Sequence, residues 1–172
     1  MKILKTILKI IVGLLAIILV VAAILPKEFH AGSKIEINRP SQEVFDYVKL
    51  LKNQAFYDNW SRQDPQIEKD YEGEDGTEGF TYSWKSKKVG DGKQVIRHIV
   101  EGKRIDMDIY FNGSTDANKT FIAVHPVDST HTQVQWEIDG KIPYPFNIMS
   151  LFYDMNKDFV EGLERLKGIL EK

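Results

Sequence analysis

At 172 residues, 42% hydrophobic and 28% charged, the chain is long enough for one well-buried core and too short for a second full domain. The absence of cysteine excludes disulfides, zinc–thiolate sites, iron–sulfur clusters and thiol nucleophiles. Lys2, Lys5 and Lys9 are the only charges in the first 26 residues, so the remainder carries 20 basic and 25 acidic side chains, net −5. With no basic stripe to neutralise phosphates, nucleic acid is not an expected partner.

Residues 10–25 contain no charged or strongly polar side chain. Sixteen helical residues extend roughly 24 Å, and Ile7, Leu8 and a snorkelling Lys9 lengthen the run toward a hydrocarbon core of about 30 Å. The run is apolar on all faces, unlike a core helix of a soluble protein, and Pro26 ends it. Residues 3–25 are therefore expected to contact a membrane. The three lysines before the run place the N-terminus in the cytoplasm and the following domain outside. A cleaved signal peptide is the competing reading, because Val21-Ala22-Ala23 weakly resembles a small-residue cleavage site. The expected organisation is a transmembrane signal-anchor over 1–26, a linker over 27–32 and one domain over 33–172, held at the cell membrane by a single pass.

From Ser33 the apolar period becomes two: Ile35 and Ile37 alternate with Lys34, Glu36 and Asn38, marking a strand with one buried face. Pro40 and Ser41 open a helix with Glu43 in its first turn and Val44, Phe45, Val48 and Leu51 on its apolar side. A short helical stretch over 53–60 follows and ends before Asp64-Pro65. Turn residues at 73–76, 90–92, 101–103, 112–113 and 128–130 then delimit six strands, at about 67–72, 79–87, 93–100, 104–111, 119–126 and 131–139. One strand face is apolar, with Phe80, Tyr82, Trp84, Ile105, Met107, Ile109, Phe111, Val134, Trp136 and Ile138. The other holds Asp106, Asp108, Gln135 and Glu137. Ile148, Phe152, Met155, Phe159, Leu163, Leu166 and Leu170 recur at spacings of three and four, which predicts an amphipathic C-terminal helix of about 24 residues. The fold class is α+β: a curved antiparallel sheet of about seven strands around a long C-terminal helix, preceded by a transmembrane helix.

Several segments resemble the SRPBCC, or START/Bet v 1-like, superfamily in its polyketide-cyclase-like branch. They are Ile35-Glu36-Ile37-Asn38-Arg39-Pro40 with Glu43-Val44-Phe45, the aromatic segment ending at Trp60, and Gly79-Phe80-Thr81-Tyr82-Ser83-Trp84. Thr132-Gln133-Val134-Gln135-Trp136 and Pro143-Tyr144-Pro145-Phe146-Asn147 complete the set. The resemblance covers 33–172. It implies a helix-grip fold with a cavity between sheet and long helix, typically for hydrophobic or aromatic small molecules and lipids. It does not imply a reaction.

Trp60, Tyr82, Trp84, His98, Met107, Trp136, Phe152 and Met155 are the candidates for lining that cavity. Aromatic rings supply area, and Trp N–H and Tyr O–H supply polar handles; a fully packed core is the alternative reading of the same residues. His30, His98, His125 and His131 are too dispersed for a metal site, so neither metal nor cofactor is expected. Asp106 and Asp108 share a strand face, but a solvated one. Ser83, Ser86 and Ser150 lack a nucleophile-elbow context, and Gly90-Asp91-Gly92-Lys93 lacks the spacing of a phosphate loop. The leading expectation is a membrane-tethered binding domain for a hydrophobic small molecule or lipid, with catalysis less expected than binding. The alternatives are a cyclase- or hydrolase-like enzyme using His98, Tyr82 or His125 as acid/base, and a module that presents its acidic face to another envelope protein.

Overall fold

The computed structural model describes residues 2–172, with side chains from Ile3 onward. In chain order the elements are α1 (Lys2–Ile24), β1 (Glu28–Ile37), α2 (Ser41–Val48), α3 (Leu51–Tyr57), α4 (Trp60–Gln63), β2 (Glu68–Glu72), β3 (Thr81–Lys85), β4 (Gly92–Val100), β5 (Arg104–Phe111), β6 (Asn118–Pro126), β7 (Thr132–Lys141), a 3₁₀ turn (Phe146–Leu151) and α5 (Met155–Leu170). They fall into two compact units. One contains residues 2–29 with Lys141–Asp154, the other His30–Gly140 with Met155–Lys172.

The larger unit is built on a seven-stranded sheet in the order β1-β7-β6-β5-β4-β3-β2. The pairs from β2 through β7 are antiparallel, each strand joined to the next by a short turn. Register aligns the inward residues across the sheet: Tyr71 with Tyr82, Tyr82 with Gln94, Ile96 with Met107, Met107 with Thr120 and Ile122 with Trp136. Because side chains alternate between faces, this register gathers Phe80, Tyr82, Ile96, Ile105, Met107, Ile122, Val134, Trp136 and Ile138 on one buried side. Phe159, Leu163, Leu166 and Leu170 of α5, together with Val44, Phe45 and Val48 of α2, complete the core. Asp158 in the first turn of α5 and Lys167 in its last complement the helix dipole. The sheet with its C-terminal helix is the α+β arrangement expected from the hydrophobic periodicity, in the helix-grip form that the resemblance implies.

Several boundaries differ from expectation: the stretch read as one helix over 53–60 is two, α3 and α4, Leu51 opens α3 instead of lying on α2, and β3 is shorter at both ends. The first strand begins at Glu28, so residues 28–32 are strand where the sequence reads as linker. The C-terminal helix has 16 residues instead of about 24. The apolar spacing does run back through Phe152 to Ile148, but those residues belong to the smaller unit. There Asn147 Nδ2 donates to Ala22 O and Leu25 O at the end of α1, at 2.7 and 3.1 Å. Periodicity cannot see such a hydrogen bond, and it diverts the segment from the helix.

In the smaller unit, Ile3–Ile24 is 22 residues, long and apolar enough to cross a membrane.

Candidate functional site

The inward face of the larger unit carries two connected sets of aromatic rings. Trp136 on β7 meets Phe159 of α5 at 4.9 Å, Tyr57 of α3 at 5.6 Å and Trp60 of α4 at 6.1 Å, each edge to face. On β2 and β3, Tyr71 stacks on Tyr82 at 5.3 Å, and Tyr82 lies 5.3 Å from Trp84, which in turn meets Phe111. Backbone room is made for these rings. Trp84 lies directly over Gly92, where any Cβ would collide with the indole, and a Cβ on Gly162 would come within 3.2 Å of the Trp136 ring.

Polar groups interrupt this apolar wall. The amides of Gln54 on α3 and Gln94 on β4 pair with one another at 3.2 Å, and both are buried. Gln94 Nε2 also lies 2.8 Å from Met107 Sδ. Tyr57 is fully buried, and its hydroxyl has no hydrogen-bond partner among the described residues. Such an orphan costs about 1–3 kcal/mol. Burial pushes the Tyr57 and Tyr82 phenols well above the ordinary tyrosine range. Between α3 and α4, Asp58 is 4% exposed. Burial raises its carboxyl above the usual range, against a hydrogen bond from the Ser61 N–H and the nearby Ser61 side chain. Ser61 also acts on the Tyr82 phenol, partly offsetting its burial, so Asp58, Ser61 and Tyr82 lie together at this point.

Six of the eight sequence candidates stand in the larger unit at or beside this face. Tyr82, Met107 and Trp136 are buried, and Trp60, Trp84 and Met155 are partly so. Phe152 does not join them: it belongs to the smaller unit and is 80% exposed. His98 is also misplaced. It has the sequence parity of Gln94 and Ile96, but a β-bulge between Ile96 and His98 inserts Arg97 and turns the imidazole outward, where it bonds Glu78 Oε1 at 2.9 Å. His30 and His125 are likewise exposed and His131 is half-buried, bonded to Asp128 in its own turn, so no histidine enters the inward face. Among the described residues no group of histidines and carboxylates could hold a metal.

Asp108 departs from expectation in another way. On the outer face, expected to be solvated, it is 6% exposed, accepting from Lys119 Nζ at 2.6 Å and Arg97 Nε at 2.7 Å. Burial pushes its carboxyl up, but these cations outweigh burial and hold it below the usual range.

Sequence reasoning missed Tyr57, Gln54, Gln94, Asp58 and Ser61. Gln94 was the legible one, being a polar residue at the inward parity of an otherwise apolar strand. Tyr57 and Asp58 carried no signal, since their burial depends on α5 closing over α3.

Residues 28–171 match the polyketide cyclase / dehydrase and lipid transport family. The chain belongs to it. No curated protein matches the chain. Among solved structures, norcoclaurine synthase from Thalictrum flavum, in complex with dopamine and hydroxybenzaldehyde, is 9% identical over 84% of this chain and 87% of its own, with a TM-score of 0.60. The Aha1 dimer from Colwellia psychrerythraea is 14% identical over 83% and 96%, at 0.59. A protein from Thermobifida fusca is 16% identical over 82% and 92%, at 0.55. At these identities the likeness is one of fold, the helix-grip fold of the SRPBCC superfamily.

Proposed function

We propose that this family member holds a hydrophobic small molecule or lipid against its inward aromatic face and is tethered to a membrane by α1, with the domain on the extracytoplasmic side. The observation that carries the binding reading is the Tyr57 hydroxyl, fully buried among rings with no partner among the described residues. A bound molecule with one acceptor or donor at that depth would satisfy it, while the Trp60, Tyr82, Trp84 and Trp136 rings cover its apolar surface. Dopamine and hydroxybenzaldehyde in the norcoclaurine synthase complex are aromatic molecules of this kind carried on the same fold. The lipid-transport part of the family description fits a tether near apolar cargo.

The test is native mass spectrometry of the full chain released from nanodiscs, followed by solvent extraction. A discrete small molecule at one per chain, diminished in Tyr57→Phe, is the expected result. Chains carrying nothing beyond bulk membrane lipid would sink the proposal.

A second reading, small-molecule catalysis, is favoured by Asp58, a buried carboxyl held above its usual range beside Ser61 and Tyr82, which would exchange a proton with a bound molecule. If extraction yields two related species whose ratio becomes fixed in Asp58→Asn, that reading replaces simple binding.

A further inference from the structure

We propose that residues 143–154 are a second membrane contact, an interfacial segment seated at the headgroup–acyl boundary beside the end of α1. The proposal rests on the reading of α1 as a membrane span. No residue between Lys141 and Asp154 is charged. The 3₁₀ turn Phe146–Leu151 and its neighbours nevertheless show their apolar side chains to the outside: Phe146 is 65% exposed, Met149 54%, Leu151 55%, Phe152 80% and Tyr144 44%. A water-soluble surface rarely gathers so many large apolar side chains within so few residues.

The depth of this segment follows from one buried side chain. The last carbonyls of any α-helix lack intrahelical partners, and in α1 those of Ala22 and Leu25 are met by Asn147 Nδ2, with Asn147 1% exposed and Ala22 fully buried. Ile142 N adds a bond to Lys27 O at 2.8 Å, so the return segment is tied to the end of α1 on both sides of Pro26. A span of 22 residues ends near the level where hydrocarbon gives way to headgroups. Side chains fastened there lie in the layer that favours aromatic rings, with the Tyr144 hydroxyl available to headgroups. The occupant of the exposed patch is therefore the lipid bilayer itself. The latch also bears on processing: cleavage after Ala23 would remove the Ala22 acceptor from a buried amide.

Because the chain has no cysteine, single cysteines can report depth. Leu15→Cys in α1, Met149→Cys, Phe152→Cys and, in an exposed turn of the larger unit, Val127→Cys are each labelled with an environment-sensitive fluorophore. The full chain is then reconstituted in phosphatidylcholine/phosphatidylglycerol vesicles bearing nitroxides either near the headgroup or deep in the acyl chain. Labels at 149 and 152 are expected to be quenched at least about twofold more by the shallow nitroxide than by the deep one. The label at 15 should show the reverse order, and the label at 127 neither. If 15 is quenched from the bilayer while 149 and 152 are not, the interfacial contact is overturned and the span survives. Blue-shifted but unquenched labels at 149 and 152 mean the patch is covered by protein, which also overturns it. If 15 itself is unquenched, the span and the contact fall together.

Discussion

The two faces of the sheet treat a buried carboxylate in opposite ways. On the outer face Asp108, 6% exposed, lies between Arg97 and Lys119, with the Tyr110 hydroxyl donating at 3.3 Å, and its charge is supported on every side. On the inner side Asp58, 4% exposed, is hydrogen-bonded through Ser61, while Lys69 and Arg165 act on it only through the longer-range field. The outer face is thus an electrostatically closed structure. The inner face tolerates a discouraged carboxylate and an orphaned tyrosine hydroxyl, the kind of local cost that function rather than stability explains.

The largest break in this contrast should come from Trp136→Ala. Removing a ring that joins Tyr57, Trp60 and Phe159 is expected to cost about 3–5 kcal/mol in chemical denaturation, and to abolish ligand retention. A loss below about 1 kcal/mol would mean the inner face is not tightly packed around that ring.

Asp108→Asn should destabilise by about 1–3 kcal/mol at neutral pH, since two charge-assisted bonds are weakened. The sign with pH follows from a folded value held below the unfolded one. The stabilisation is present above about pH 4, the unfolded aspartate range, and is lost as pH falls through the folded value. Denaturation midpoints for wild type and variant should therefore converge in acid. Parallel curves would show that Arg97 and Lys119 contribute nothing to stability.

Tyr57→Phe sharpens the comparison on the other side. Without ligand, deleting an unsatisfied buried hydroxyl should raise stability by about 1 kcal/mol. With ligand, the same variant should bind more weakly. Destabilisation of the ligand-free protein would show that the hydroxyl has a partner.

The smallest change is expected from Asp58→Asn, because asparagine keeps an acceptor for the Ser61 N–H, and it should have the opposite sign to Asp108→Asn. A folded carboxyl raised by burial gives its full contribution below about pH 4 and loses it as pH rises through the folded value. The variant should accordingly be the more stable protein at neutral pH and equal to wild type in acid, which urea titrations at the two pH values would reveal.

Much of the fold was legible because it depends on periodicity. Alternation located every end of β2 through β7 to within two residues, with β3 (Thr81–Lys85) shorter at both ends, and glycine-rich turns supplied the breaks. The inward set of Tyr82, Met107 and Trp136 came from the same parity. The failures mark where parity stops being informative. A single inserted residue at Arg97 sent His98 to the outer face. A spacing of four between Ile148 and Phe152 looked like helix, and the side-chain bond from Asn147 to α1 drew those residues elsewhere.

By itself, then, the sequence determined the apolar run of α1, the number and order of the strands, the apolar face of α5 and the family resemblance, because each is written in local hydrophobic pattern. Only the tertiary structure decided which polar groups end up buried and with what partners. Tyr57 orphaned, Gln54 paired with Gln94, Asp58 desolvated, Asp108 neutralised and Asn147 locked to the end of α1 all depend on separate elements coming together. Burial and hydrogen bonding are properties of those meetings, and no local pattern encodes them.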